Sequence, residues 1–234
     1  MENKQHGFSL VEIAIVLVIV GFMIGGLVTP LTVQFEQRKV SETQKALEDA
    51  KEALAGFALR NGYLPCPAVS AANGLEDRAG TVCSEEKRQG FLPWATLGLP
   101  KLDSWSHILR YSVTPAFTDS GNRFTLKTLR DISVRSRDGA GQVVAATAPN
   151  DIPAVIMSHG KNGFGAVSDQ GIPVAGGAAG NPDEISNSDV AGTTFMARAT
   201  GSVPASPGGE FDDLVVWLSP NVLFNRMVAA QRLP

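Results

Sequence analysis

Near its N-terminus the chain reads Gly7-Phe8-Ser9-Leu10-Val11-Glu12-Ile13-Ala14-Ile15-Val16-Leu17-Val18-Ile19-Val20. No charged residue occurs from position 13 to position 35. An α-helix rises about 1.5 Å per residue, so about 20 apolar residues cross the hydrocarbon core of a bilayer. A buried helix of a soluble domain is rarely apolar on every face. The stretch therefore predicts a transmembrane helix over residues 8–30.

An ordinary secretory signal peptide is the first alternative for such a segment. It has a shorter apolar part of about 7–15 residues, followed by a cleavage site with small residues. Here the uncharged segment is longer, and residues 29–34 do not resemble such a site. That region also contains no cysteine that could carry a lipid anchor. The sequence thus favours a helix that stays attached to the rest of the chain.

Glu12 is the only charged residue between positions 8 and 35. A carboxylate near hydrocarbon is costly and usually has a partner. The segment from His6 to Ile13, with the aliphatic run after it, resembles the class III signal of type IV prepilins and pseudopilins. That signal combines a short polar leader, a glycine, a phenylalanine and a glutamate four residues after the phenylalanine. An uncleaved anchor, with Glu12 at the level of the lipid headgroups, is the alternative interpretation.

The resemblance implies a course of maturation and a location. Residues 1–7 would form the leader, which prepilin peptidase removes by cleaving after Gly7, and the new first residue, Phe8, would be N-methylated. Glu12 would pair with the free N-terminal amine of a neighbouring pilin or pseudopilin subunit. The chain would cross the inner membrane once, with a cytoplasmic N-terminus and a periplasmic head. An inner-membrane assembly platform would then add it to a pilus or pseudopilus filament.

Residues 31–61 show an amphipathic helical pattern. Apolar residues recur at three- and four-residue steps on one face, namely Leu47, Ala50, Leu54, Phe57 and Ala58. Charged residues occupy the opposite face, and Asn61-Gly62 is a helix-stop signal. The pattern predicts that this segment continues the transmembrane helix and supports a head domain over residues 62–234.

The head contains short apolar runs separated by turn signals. Candidate strands are Ile108–Val113, Phe124–Leu129, Ile132–Arg135, Val143–Ala146, Ala154–Ser158 and Leu214–Leu218. A helix combined with antiparallel strands predicts an α+β fold, and the resemblance implies the pilin arrangement, a long N-terminal helix packed on a loop-rich antiparallel β-sheet.

Two further regions of the head have distinct predictions. Residues 160–210 are low in charge and rich in small residues, which indicates surface loops. Ser219-Pro220 predicts the start of a short terminal helix. Its core-facing residues are predicted to be Leu223, Phe224, Met227 and Val228.

The chain has two cysteines, Cys66 and Cys83. An even number of cysteines in an exported chain favours one disulfide. The bond would close a loop of about 17 residues and stabilise the fold by about 3 kcal/mol in the chain-entropy model. Two unpaired thiols are the alternative, and no histidine lies at a spacing typical of a zinc site.

Acidic residues crowd one Gly/Pro-rich loop and recur just before the last candidate strand. Oxygen ligands of this kind suit calcium. Major pseudopilins of type II secretion hold calcium in an acidic C-terminal loop, so the resemblance adds a candidate site with Asp183, Asp189, Asp212 and Asp213 as ligands. The spacing matches neither an EF-hand nor that loop closely. A solvated acidic loop is the alternative, and no other cofactor is expected.

The net charge and the lack of catalytic motifs bear on the class of function. A formal net charge of −3 does not call for a nucleic-acid partner. No Ser/His/Asp order or HExxH spacing stands out, and His159 is better explained as a turn residue than as a catalytic base, so we expect no enzyme. The size of the head favours a minor structural subunit of a type IV pilus or a type II secretion pseudopilus. A filament-tip adhesion or ligand-binding module on the same anchor is the alternative.

Overall fold

A computed structural model describes residues 9–176 and 181–233, without the side chains of residues 24–30. The chain divides into two units, which end and begin at Ser41 and Glu42. One helix, α1 (Leu10–Asn61), supplies the described part of the first unit after Ser9 and continues into the second. No helix in the described part of the chain combines the length and the apolarity that a membrane crossing requires.

The end of α1 follows the predicted stop signal. Asn61 Nδ2 donates a hydrogen bond to the carbonyl of Phe57 at 2.9 Å. The backbone N–H of Gly62 donates to the carbonyl of Ala58 at 2.7 Å. Gly62 has a φ of +83°, in the left-handed region that glycine adopts without a steric penalty. The helix end predicted from Asn61-Gly62 is therefore confirmed.

Within the second unit, the apolar face of α1 lies in the core. The buried residues are those that the spacing predicts, Leu47, Ala50, Leu54, Phe57 and Ala58. Burial of one leucine contributes about 1.5–3 kcal/mol, so this face is a major source of stability. Polar contacts add to it, because the N–H of Ser104 donates to Thr43 Oγ1 at 3.2 Å. Glu52 also pairs with Arg226 at 2.6 Å.

Short strands and helices alternate in the rest of the second unit. The strands are β1 (Arg78–Ala79), β2 (Val82–Cys83), β3 (Gln89–Phe91), β4 (Arg110–Val113), β5 (Ser133–Arg137), β6 (Val143–Ala145), β7 (Ala154–Ser158), β8 (Thr194–Met196) and β9 (Leu214–Leu218). The α-helices after α1 are α2 (Trp94–Leu97), α3 (Pro182–Ser188) and α4 (Pro220–Ala229). Single 3₁₀ turns occur at Ser84–Glu86 and Pro115–Phe117.

The strands form three sheets in the described residues. The largest is antiparallel, with the order β3-β4-β7-β9. A second sheet has the order β6-β5-β8, in which β5 pairs antiparallel with β6 and parallel with β8. β1 and β2 form a short antiparallel hairpin. A long N-terminal helix followed by largely antiparallel sheets is an α+β fold, consistent with a pilin-like architecture, so the predicted fold class is confirmed.

Strand β7 lies at the centre of the core. All five of its residues are buried, and alternate residues of a strand face opposite sides of a sheet. Val155 and Met157 join a cluster with the β5 residue Val134 and the β8 residue Phe195. The two larger sheets therefore share one apolar layer, with further buried side chains on the other face of β7.

One predicted strand, Phe124–Leu129, is wrong. The N–H of Thr125 donates to Thr128 Oγ1 at 2.8 Å, and the N–H of Thr128 donates back to the carbonyl of Thr125 at 3.1 Å. Threonine side chains compete in this way with strand pairing, and the segment forms a turn. Phe124 is buried beside Phe117, with ring centroids 4.7 Å apart.

The segment predicted as loops, residues 160–210, is not entirely irregular. It contains α3 and β8, and the buried side-chain amide of the α3 residue Asn187 bonds the backbone of β8. Asn187 Nδ2 donates to the carbonyl of Met196 at 3.0 Å, and the N–H of Met196 donates to Asn187 Oδ1 at 2.7 Å. Elements this short have little intrinsic stability and depend on such long-range bonds.

The terminal helix begins as predicted, with Pro220 in its first turn. Leu223 and Met227 are fully buried, whereas Val228 is 43% exposed, so its predicted core position is wrong. Val228 follows Leu223 by five residues, and a helix turns about 100° per residue, so Val228 lies off the buried face.

Cys66 and Cys83 form a disulfide with their Cα atoms 5.4 Å apart. The predicted pairing is confirmed. The bond joins β2 to the segment just after α1, which is otherwise irregular. Both cysteines are buried, so the bond is part of the core.

Candidate functional site

The first candidate site is the start of α1. Gly7 and Phe8, predicted for leader cleavage and N-methylation, lie outside the described residues. Ser9 and Glu12 are described and bond reciprocally: the N–H of Ser9 donates to Glu12 Oε2 at 2.8 Å, and the N–H of Glu12 donates to Ser9 Oγ at 3.2 Å. This is a capping box, which satisfies two backbone donors that a helix start leaves free.

The capping box gives Glu12 a local role beside the one predicted for assembly. It holds the carboxylate in the first turn of α1, at the positive end of the helix dipole. A cationic amine on another chain would meet the carboxylate there. Contact with another subunit stays a prediction.

The second candidate site is an acidic cluster in the head. We define it as Glu184, on α3, together with Asp212 and Asp213, directly before β9. Each contributes a carboxylate oxygen, and the three oxygens lie within 4.8 Å of one another. Glu184 is fully buried and Asp213 is 2% exposed. Three carboxylates so close together repel one another unless protons, donors or a cation compensate.

Side-chain and backbone donors hold the acidic cluster in place. Glu184 Oε1 accepts from Asn162 Nδ2 at 2.9 Å and from the N–H of Asp212 at 3.1 Å. Asn181 Nδ2 donates to Glu184 Oε2 at 3.0 Å. Both oxygens of Glu184 therefore have donors. The bonds connect α3, the loop after β7 and the segment before β9.

Asp212 and Asp213 each accept a hydrogen bond on one of their two carboxylate oxygens. Asp212 Oδ2 accepts from the N–H of Asn162 at 2.7 Å, and Asp213 Oδ2 accepts from Asn187 Nδ2 at 2.7 Å. Among the described residues, Asp212 Oδ1 and Asp213 Oδ1 are buried and have no hydrogen-bond donor. Burial raises the pKa of the Asp212 carboxyl to about 7, and the negative charges of Glu184 and Asp213 act in the same direction.

His159 lies beside the acidic cluster, immediately after β7. Its Nδ1 atom is 3.6 Å from Asp213 Oδ1, too far for a hydrogen bond. The side chain is 2% exposed, and neither ring nitrogen has a hydrogen-bond partner in the described part of the chain. Its carbonyl accepts from the N–H of Gly163 at 3.2 Å, as expected for a turn residue.

His159 also lines a cavity of about 180 Å³. Arg110 lies on the same cavity and is 9% exposed. Its guanidinium donates to the carbonyls of Ser188 and Asp189 at 2.9 and 3.0 Å, which satisfies the C-terminal end of α3. Arg110 is thus a structural partner of the helix that carries Glu184.

The structure separates the four aspartates predicted as calcium ligands. Asp212 and Asp213 lie together, but Asp183 pairs with Arg137 and Arg198 instead. Asp189 Oδ1 accepts from the N–H of Ala191 at 2.9 Å in the following loop. Glu184 takes the place of these two in the cluster.

Glu184 was absent from the predicted ligand set, although a local signal points to it. Asn181 and Glu184 have the three-residue spacing of a capping box, and Pro182 lies at the first helical position. This pattern predicts a short helix with Glu184 in its first turn. His159 gives no such signal, because its neighbours in space come from distant parts of the sequence.

Comparison with known proteins identifies the N-terminal signal. Residues 3–28 match the family model described as the prokaryotic N-terminal methylation motif. No curated protein and no solved structure matches the chain. The matched motif supports assignment to the type IV pilin-like and pseudopilin family, as a precursor with a leader. It points to a structural subunit and implies processing by prepilin peptidase and assembly with other pilins.

Proposed function

We propose that this chain is a minor structural subunit of a type IV pilus or a type II secretion pseudopilus. Prepilin peptidase cleaves it after Gly7, Phe8 becomes N-methylated, and the mature subunit enters a filament. The observation that carries this proposal is the match of residues 3–28 to the N-terminal methylation motif. The long helix α1 begins within the matched segment and supplies the element through which such subunits pack.

The proposed location follows from the same signal. Residues 8–30 anchor the precursor in the inner membrane in a single pass, with the leader in the cytoplasm and the head in the periplasm. The absence of charge from position 13 to position 35 supports this arrangement. Residues 31–61 then form the helical support for the head, residues 62–234. An inner-membrane assembly platform transfers the subunit to the filament.

Glu12 is proposed as the assembly contact. Replacing Glu12 with glutamine removes the charge but keeps an oxygen that can accept from the N–H of Ser9, because glutamine also serves in capping boxes. We expect leader removal to continue and incorporation into filaments to fall by about tenfold or more, since a buried charge pair is lost. Immunoblots of sheared filaments and of membranes measure the ratio of the chain in filaments to the chain left in the membrane.

Ser9→Ala is the matched control for Glu12→Gln. It removes the hydroxyl that accepts from the N–H of Glu12 and leaves the carboxylate in place. Incorporation close to that of the wild-type chain is expected. Equal loss in both variants would assign the role of Glu12 to the helix start alone. Unchanged incorporation of Glu12→Gln would contradict the assembly contact.

The minor role rests on the head. Many loops and a terminal helix, α4, enlarge the head. A filament in which every subunit carried so bulky a head would pack poorly. We expect this subunit to be present at less than about a tenth of the major subunit, as its steric bulk allows only rare positions. Quantitative mass spectrometry of purified filaments tests this, and near-equal abundance would overturn the minor role.

A further inference from the structure

The buried polar atoms around the acidic cluster are incompletely paired. Asp212 Oδ1, Asp213 Oδ1 and both ring nitrogens of His159 have no hydrogen-bond partner among the described residues. The large majority of buried polar side-chain atoms in proteins have a partner, and each exception calls for an explanation. Here the unpaired atoms are neighbours, with His159 Nδ1 3.6 Å from Asp213 Oδ1. Each of these carboxylate oxygens, and whichever ring nitrogen carries no proton, offers a lone pair that a cation can accept.

A second buried aspartate beside a histidine shows how this fold satisfies such a group. Asp103 lies 3.8 Å from His107, measured from Oδ2 to Nδ1. Its Oδ1 accepts from the N–H of Trp105 at 2.9 Å and from the N–H of His107 at 2.8 Å, and its Oδ2 accepts from Ser158 Oγ at 2.6 Å. Both oxygens of Asp103 therefore have donors. By contrast, Asp213 Oδ1 has no hydrogen-bond donor among the described residues.

We propose that Asp212, Asp213 and His159 bind one first-row divalent transition-metal cation, of the zinc or manganese class, with Glu184 adding negative charge. Two ligand atoms that share one such ion at about 2.1 Å lie about 3.0–4.2 Å apart. The 3.6 Å separation of His159 Nδ1 and Asp213 Oδ1 falls within this range. Asp212 and Asp213 each place a carboxylate oxygen within 4.8 Å of the other, so sharing an ion requires these two groups to move closer together.

The donor atoms favour a transition metal over calcium. An imidazole nitrogen suits zinc, and carboxylate oxygens suit manganese, whereas calcium takes six to eight oxygen ligands. Among the carboxylate oxygens of the cluster, those of Glu184 already accept from the amides of Asn162 and Asn181. Asp213 Oδ2 accepts from the amide of Asn187 in the same way. These bonds orient the carboxylates, which typically strengthens metal binding.

The test uses the full-length chain in detergent, freed of metal with a chelator. Calorimetric titrations with Zn²⁺, Mn²⁺ and Ca²⁺ are compared, together with the thermal midpoint of unfolding in each. We expect one Zn²⁺ or Mn²⁺ per chain and a higher midpoint, because an ion that binds the folded state stabilises it. The proposal would be overturned if the chain bound neither Zn²⁺ nor Mn²⁺, or if it bound Ca²⁺ alone.

Variants locate the bound ion. His159→Gln and Asp213→Asn each remove one ligand and are expected to weaken Zn²⁺ binding by at least about tenfold. His107→Gln is the matched control, because it removes a buried histidine beside an aspartate whose oxygens all have donors. Wild-type affinity in the first two variants, or an equal loss in the control, would contradict the site.

A measurement on the wild-type protein covers the case in which a variant does not fold. X-ray absorption of the Zn²⁺-loaded chain reports the atoms around the metal. Oxygen ligands with one imidazole are expected from the cluster. A spectrum without imidazole scattering would exclude His159 as a ligand and overturn the proposal.

Discussion

Replacement of Gly7 by valine is expected to leave the leader on essentially every copy of the chain. A peptidase must bring its catalytic groups close to the backbone on both sides of the bond that it cleaves. Glycine allows that approach because it has no Cβ atom, whereas valine adds a branched side chain there. The intact mass would then include residues 1–7, and Phe8 would carry no methyl group because it is not the N-terminal residue.

Gly21→Val is the matched control for this prediction. Gly21 lies in α1, and a Cβ atom added there meets no other heavy atom within 4 Å. Leader removal should therefore proceed normally in this variant. N-terminal peptide mass analysis of membrane fractions distinguishes the outcomes. A Gly7→Val chain that still lost its first seven residues would refute cleavage at this bond.

Replacing Asp183 with asparagine is expected to destabilise the head by about 3–5 kcal/mol, because two guanidinium groups would lose the buried carboxylate that they share. Arg137 binds Asp183 through two bonds of 2.8 and 2.7 Å, and Arg198 adds a third of 2.7 Å. The Asp183 side chain is only 3% exposed, so water cannot replace it. Thermal or denaturant unfolding of the full-length chain in detergent measures the loss.

Asp151 provides the control for Asp183. It pairs with Arg130 at 2.7 Å, but its side chain is 32% exposed. Exposed ion pairs contribute about 0–1 kcal/mol, so Asp151→Asn should change stability by no more than that. Similar effects of the two substitutions would show that the buried pairs with Asp183 do not hold α3 in place.

The parts of the fold that were predicted correctly depend on neighbouring residues. The end of α1 follows from Asn61 with Gly62, within about one helical turn. Strands β7 and β9 match their predicted bounds, because each is a short apolar run between turn signals. The disulfide followed from having two cysteines in an exported chain.

The elements that were missed depend on distant partners. β3 is Gln89-Gly90-Phe91, which lacks a strand pattern and forms because β4 pairs with it. β8 is likewise held by its parallel pairing with β5 and by Asn187. Phe124–Leu129 has the composition of a strand but bonds within itself. In β3 and β8, pairing energy gained at long range outweighed local preference. In Phe124–Leu129, local threonine side-chain bonds replaced strand pairing.

The sequence by itself determined the prepilin-type signal, the long helix and the α+β class, because those features depend on patterns within contiguous stretches of residues. Only the tertiary structure decided the roles of the acidic residues. Asp183 and Glu184 are adjacent in α3, yet Asp183 binds Arg137, 46 residues away, and Glu184 binds the N–H of Asp212, 28 residues away. Successive helical side chains point about 100° apart, so adjacent residues meet different neighbours. Which neighbours they meet depends on how the whole head packs.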